Sequence, residues 1–217
     1  MPIHLGADGA DRIYPGGAEV DAVYLGDEKV WPAATEWSVV FVGAATTGVF
    51  PAHQAGDLLV AVGQLTSGSS TAPTADAGWA SEEVSRSSCS LSCRWRTAPG
   101  PGTTPPSAHQ SWATRRVLLA YRPTRAATLT DAWSTSGFAY WGGNTFSFPA
   151  ATPPRLYVAA SDASSSFAAS PATSGMTVRA LADRRLLVGD SDTGAAATAT
   201  APAAQSWAAL ALTIAPA

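Results

Sequence analysis

"QSWATRRVLLAYRP" runs from Gln110 to Pro123, and "QSWAALALTIAP" runs from Gln205 to Pro216. Both start with Gln-Ser-Trp-Ala, continue as an apolar run and close on proline. What precedes them matches as well. In the first half, "AGDLLVAVGQLTS" leads through a Ser/Pro loop to "AGWASEEV", "LSCRWRTA" and a Pro/Gly/Thr loop. In the second half, "PPRLYVAASDASS" leads through another Ser/Pro loop to "SGMTVRAL", "RRLLVGD" and an Ala/Thr loop. The distance from Asp57 to Gln110 nearly equals that from Arg155 to Gln205. A fixed internal period signals structural repetition. Two copies are too few for a solenoid, but a four-strand antiparallel unit used twice suits a two-sheet sandwich.

The rest of the pattern agrees. Apolar residues do not recur at helical spacing over any long window. Short apolar or alternating runs lie between Gly/Pro/Ser/Thr clusters, the mark of an all-β sandwich or barrel. Expected strands include Asp57–Leu65, Ser88–Arg96, Ser111–Arg122, Arg155–Ser161 and Ser206–Ile214. The loop "TAPGPGTTPPSAHQ" is expected to leave no room for a helix. The fold expectation is therefore all-β: an antiparallel, jelly-roll-like two-sheet sandwich over residues 35–217. Trp112 and Trp207 are expected to begin equivalent central strands and to plug one end of the core.

Residues 1–34 read differently. "EVDAVYLGDEKVWP" is a β-hairpin turning at Gly26-Asp27, a dipeptide suited to a two-residue turn. That register pairs Tyr24 with Lys29 and Ala22 with Trp31 on one face, and Val23 with Val30 and Leu25 with Glu28 on the other. A two-stranded hairpin is marginal alone in water, so it should dock. Tyr14, Tyr24, Lys29 and Trp31 are the expected docking residues, behind an extended Gly-rich arm.

Composition narrows the function classes. Charged residues are 13% of the chain and the net charge is −3. No basic run exceeds the pairs Arg115-Arg116 and Arg184-Arg185, so no nucleic-acid partner is expected. No apolar run approaches the roughly 20 residues of a membrane-spanning helix, and "MPIHLGADGADRIYP" lacks the layout of a signal peptide. In "SSCSLSCRWR", Cys89, Leu91, Cys93 and Trp95 alternate onto one face of a strand. The two cysteines are then roughly 13 Å apart at about 3.3 Å per residue, beyond the ~7 Å limit for a disulfide. They read as small core hydrophobes.

The sequence carries no recognisable catalytic motif. There is no G-x-S-x-G elbow, no phosphate-binding glycine motif, and no cluster of His4, His53 and His109 with metal-ligand spacing. "GDSDTG" at 189–194 reads as an Asp-rich turn rather than a calcium loop. No enzyme activity, cofactor or metal is expected. The candidate binding loop is "SGFAYWGGNTF", residues 136–146, where Phe138, Tyr140, Trp141 and Asn144 could meet a ligand or partner. The same rings could equally cap the open end of the sandwich.

"VYLGDEKVWP" resembles the short hairpin that opens many minor tail proteins of phages infecting actinobacteria. "AGDLLVAVGQL", "AGW", "CRWRTA" and "WATRRVLLAYRP" are similar to a β-sandwich domain that recurs in phage virion proteins. The resemblance implies a non-enzymatic minor tail protein attached through its arm, with other tail or capsid subunits as partners. It would assemble in the host cytoplasm, as a homo-oligomer, with a trimer as the guess. A capsid decoration or head-fibre protein is one alternative. A carbohydrate-binding module contacting glycans of the host envelope is the other.

Overall fold

The computed structural model describes residues 23–25, 28–31, 37–66, 72–74, 76–85, 89–138, 144–162, 166–201 and 206–217. The chain divides into two units, Met1–Trp37 and Ser38–Ala217.

In the first unit, β1 (Val23–Leu25) and β2 (Glu28–Trp31) pair antiparallel as a two-stranded sheet. Tyr24 opposes Lys29 and Leu25 opposes Glu28, the register expected from the Gly-Asp dipeptide. Beyond them the register shifts, so Trp31 opposes Val23 rather than Ala22. A bulge adds one residue to one strand and re-aims those beyond it. Nothing in period-two alternation signals where it falls.

The second unit is an antiparallel all-β sandwich. Its first half contains β3 (Val39–Ala45), β4 (Leu58–Leu65), β5 (Ala80–Val84), β6 (Ser90–Thr97), a short helix α1 (Ser107–Trp112) and β7 (Arg115–Pro123). Its second half contains β8 (Ala127–Phe138), β9 (Asn144–Phe148), β10 (Arg155–Ser161), β11 (Thr173–Ser174), β12 (Thr177–Ala182), β13 (Leu186–Ser191), β14 (Ala197–Ala201) and β15 (Ser206–Pro216).

The first half builds a five-stranded sheet in the order β3-β7-β4-β6-β5. The second half builds another in the order β8-β15-β10-β13-β12. Matched element by element, the two orders are the same. Each half thus supplies five strands to its sheet, one more than the four-strand unit read from sequence. The sheet-to-sheet contacts repeat the relation: β5 meets β8 while β12 meets β3, and β6 meets β15 while β13 meets β7. Exchanging the halves maps each of these four contacts onto another of the four. The halves are therefore related by a pseudo-twofold axis that passes between β4 and β10.

The quoted tetrapeptide does not follow that symmetry. Leu58 opposes Tyr121 and Leu156 opposes Leu212, which makes Tyr121 and Leu212 equivalent. Further along, Arg116 opposes Gly63 and Trp207 opposes Ser161. The counterpart of Trp207 is thus Arg116, and Trp112 lies upstream of the strand, in α1. Two expectations are corrected here: the loop does hold a helix, and β7 begins at Arg115 rather than Ser111. The same Ser-Trp-Ala sequence is helix end in one half and strand in the other, so tertiary context overrides local preference.

Alternation sorts the core. Leu58, Val60, Val62, Leu91, Cys93, Trp95, Val117, Leu119 and Tyr121 share one face of the first sheet and are buried. This face looks toward the second sheet, since Trp95 Nε1 donates to Thr128 Oγ1 at 3.1 Å. The opposite faces are covered in two ways. Leu59, Ala61, Leu118 and Ala120 pack under Phe50 and Trp79 from loops. Tyr157, Ala159, Leu187, Ala209 and Ala211 pack under Phe146, Phe148, Ala197 and Ala199 of a third sheet, ordered β11-β14-β9. Covered on both sides, β10 is buried at every residue, which is why its middle, "LYVAA", is a near-continuous apolar run.

Candidate functional site

The residues singled out from sequence lie in two places. Tyr24, Lys29 and Trp31 sit in β1 and β2 with the pairing given above. Phe138 ends β8 opposite Ser206, and Asn144 begins β9 opposite Ala201. For these five residues the backbone pairing is what is described. Tyr14, Tyr140 and Trp141 lie outside the described residues.

Sequence reading missed a polar cluster at the seam between the two large sheets. Tyr121 of β7 donates from its hydroxyl to Asp190 Oδ2 at 3.1 Å. Arg179 of β12 donates from Nε to Asp190 Oδ1 at 2.8 Å. The Arg179 guanidinium lies 4.3 Å from the centroid of the Phe41 ring, and Phe41 meets Tyr121 edge-on at 5.5 Å. A cavity of about 260 Å³ opens beside them, lined also by Val39, Val40 and Asp192. Burial pushes the Asp190 carboxyl above its ordinary pKa, against the pull of Arg179 and Tyr121. Burial, with the Asp190 charge beside it, raises the Tyr121 phenol well above its usual value. Both carboxylate oxygens of Asp190 are engaged, which suits a structural anion clamping β7 to β12 and β13. The first aspartate of "GDSDTG" thus faces the interior and is held by an arginine.

No periodic pattern could have revealed this cluster. Arg179 falls at the bulge where the pairing of β12 with β13 shifts between Val178 and Ala180. Tyr121 looked like one more apolar position in "VLLAYRP".

A second polar cluster lies beneath α1, on the outer face of the first sheet. His109 is fully buried, and its Nε2 lies 3.3 Å from the Ser92 carbonyl oxygen. Its ring stacks on Trp112 with centroids 5.9 Å apart. Gly63 makes room for it, because a Cβ there would lie 2.6 Å from His109 Nε2. Burial, reinforced by the Arg94 charge, lowers the imidazole pKa to about 4. Arg94 is buried too, and its Nη1 donates to the Thr74 carbonyl at 3.0 Å while Nη2 donates to that of Pro73. A neutral histidine and a carbonyl-bonded arginine hold the loop before β5 and the helix α1 against the sheet.

Cys89 and Cys93 are free and buried, and burial pushes the Cys89 thiol up to about 12 and the Cys93 thiol higher still. Thiols so held carry little thiolate at neutral pH and pack as small hydrophobes.

No protein-family model, no curated protein and no solved structure matches this chain.

Proposed function

We propose that the chain is a non-enzymatic structural protein of a bacteriophage virion, a minor tail protein attached through its N-terminal arm. The observation that carries this reading is the two-stranded sheet of β1 and β2. Among the described residues neither strand has a third partner. A hairpin of that size is marginal by itself, whereas a neighbouring sheet edge can add backbone hydrogen bonds along its length. Tyr24 and Trp31 then serve as anchors. The unit that follows in the chain, a sandwich with β10 buried on both faces, supplies a stiff, weakly charged body.

The test is to purify particles of the encoding phage and locate the chain in them. Expected is its presence in the tail, with residues 1–34 buried against another subunit. In particles assembled with Tyr24→Ala/Trp31→Ala, occupancy falls while the melting temperature of the free chain does not change. Absence from the particle, or full occupancy of the double variant, overturns the reading. Presence only on the head transfers the chain to the decoration class.

A further inference from the structure

At one end of the sandwich a cavity of about 570 Å³ opens between the two halves. The first half contributes Thr46 and Gly48, which follow β3, and Thr114, Arg115 and Arg116 at the start of β7. The second contributes Leu181, Ala182 and Asp183 at the β12–β13 turn. Arg115 dominates its chemistry. Its side chain is only 10% exposed, and Nε and Nη1 are buried without a hydrogen-bond acceptor among the described residues. The acid facing it is Asp183, whose Oδ2 lies 3.5 Å from Nε on a side chain that is 76% exposed. That is an ion pair without a hydrogen bond. Burial, and then the charge of Arg185, lower the pKa of the Arg115 guanidinium. A second positive charge therefore acts on the same place.

The turn opposite is held in an unusual backbone shape. Asp183 and Arg184 both have positive φ, 46° and 57°, a region that residues bearing a Cβ rarely occupy. Arg184 Nε anchors the turn by donating to the Phe167 carbonyl at 2.9 Å. Arg185 N closes it on the Ala182 carbonyl at 3.0 Å. The turn presents a solvated carboxylate to a buried guanidinium whose Nε lacks a hydrogen-bond acceptor among the described residues. The side-on edge of a guanidinium, Nε–H with Nη2–H, is matched by a planar or tetrahedral oxyanion taking two N–H groups at once, whereas Nη1 points to the other side.

We propose that this cavity is an oxyanion site, in which a carboxylate or phosphate group binds Arg115 and replaces the Asp183 carboxylate there. Arg185 supplies supporting charge, and Thr46 and Thr114 supply hydroxyls at the rim. The site exists only because the two halves meet, since neither half alone brings Arg115 against the 183–184 turn.

The test titrates the full chain with sodium phosphate, sodium acetate and sodium chloride at matched ionic strength. It reads the melting temperature and the NMR signals of arginine Nε–H groups. Expected is a saturable rise in melting temperature with phosphate or acetate but not with chloride, with the Arg115 Nε–H signal shifting in step. The anion that saturates first identifies the ligand group. Asp183→Asn, an exposed change, tightens binding several-fold by removing the competitor. Arg115→Lys keeps the charge but loses the fork, and weakens binding by about tenfold. The proposal falls if chloride matches both oxyanions, if Asp183→Asn leaves both affinities unchanged, or if Arg115→Lys binds as tightly as the parent.

Discussion

Residues 38–123 and 127–217 build the same sheet twice and finish it differently. The strand order is shared, and so is the contact pattern across the pseudo-twofold axis. Outside that frame the first half covers its sheet with loops and the six-residue helix α1, whereas the second uses another sheet. The strand entrances show how a shared position diverges. In the first half, buried Asp57 takes Arg122 Nε and Nη2 on its two oxygens, each at 2.9 Å. At the equivalent positions of the second half, Arg155 donates from Nη1 to Thr213 Oγ1 at 3.2 Å. The cross-strand link is retained while the acid and base are exchanged for a base and a hydroxyl. What is kept at this position is a polar contact across the strands, and more than one residue pair can supply it.

The seam teaches the complementary lesson. Tyr121 and Asp190 hydrogen-bond across the sheets, and their counterparts are Leu212 and Thr97. Among the described residues the Tyr121–Asp190–Arg179 cluster has no charged counterpart at Leu212 and Thr97, so the symmetry belongs to the strand frame and not to the sites built on it.

The largest effect that should break the comparison lies in the third sheet. Phe148→Ala removes a ring packed on Trp133 and Tyr157 at 5.7 and 5.1 Å, and should cost about 3–5 kcal/mol by urea unfolding. A loss below about 1 kcal/mol would mean that the third sheet covers the core without holding it.

Next comes the helix cover. His109 is buried and neutral, with a pKa lowered from 6.5 to about 4. The unfolded chain therefore binds more protons between those values, and stability must fall as the pH drops from 6.5 to 4. The loss is on the order of 3 kcal/mol. His109→Gln should remove that slope, and a pH series of melting temperatures reads it directly.

Gly63 and Ser161 are equivalent, yet only Gly63 lies under α1. Gly63→Ala should destabilise by about 1–3 kcal/mol through overpacking against His109. Ser161→Ala keeps the backbone carbonyl that accepts from Gln64 Nε2 and adds no bulk, so it should lack this overpacking loss. Equal losses would mean that α1 yields freely.

The smallest effect separates two aspartates. Burial raises Asp57, but bonds from Arg122 and Gln54 and the Arg122 charge outweigh it, so its pKa lies below the ordinary value. Its stabilisation is present above the unfolded pKa and is lost as pH falls through the folded one. Asp190 is raised, so its contribution has the opposite sign: stability is gained as pH falls from its folded pKa toward the unfolded one. Asp57→Asn and Asp190→Asn should therefore tilt the acid limb of the melting curve in opposite directions. Tilts of the same sign would show that one of the two environments has been misassigned.

Much of the frame was readable in the chain. The repeated order of "AGDLLVAVGQL" and "PPRLYVAAS", each followed by two short runs and a long one, anticipated two similar antiparallel sheets. The Gly26-Asp27 turn anticipated the pairing of Tyr24 with Lys29. The repeated Gln-Ser-Trp-Ala misled on register, because identity over four residues says nothing about which partner strand lies alongside. The helix Ser107–Trp112 was missed because it is too short to show a helical period, and its place depends on the gap left by Gly63. The seam cluster was missed because it joins residues from three strands on two sheets, one of them at a bulge.

By itself the sequence determined alternation, turn positions and the order of strands, because these depend on neighbours within a few residues and on which faces shun water. The tertiary structure alone decided the register of the long strands, the covering of each outer face, and the meeting of Tyr121 with Asp190 and Arg115 with Asp183. Those contacts join residues distant along the chain, and their energies exist only once two sheets have closed on one another.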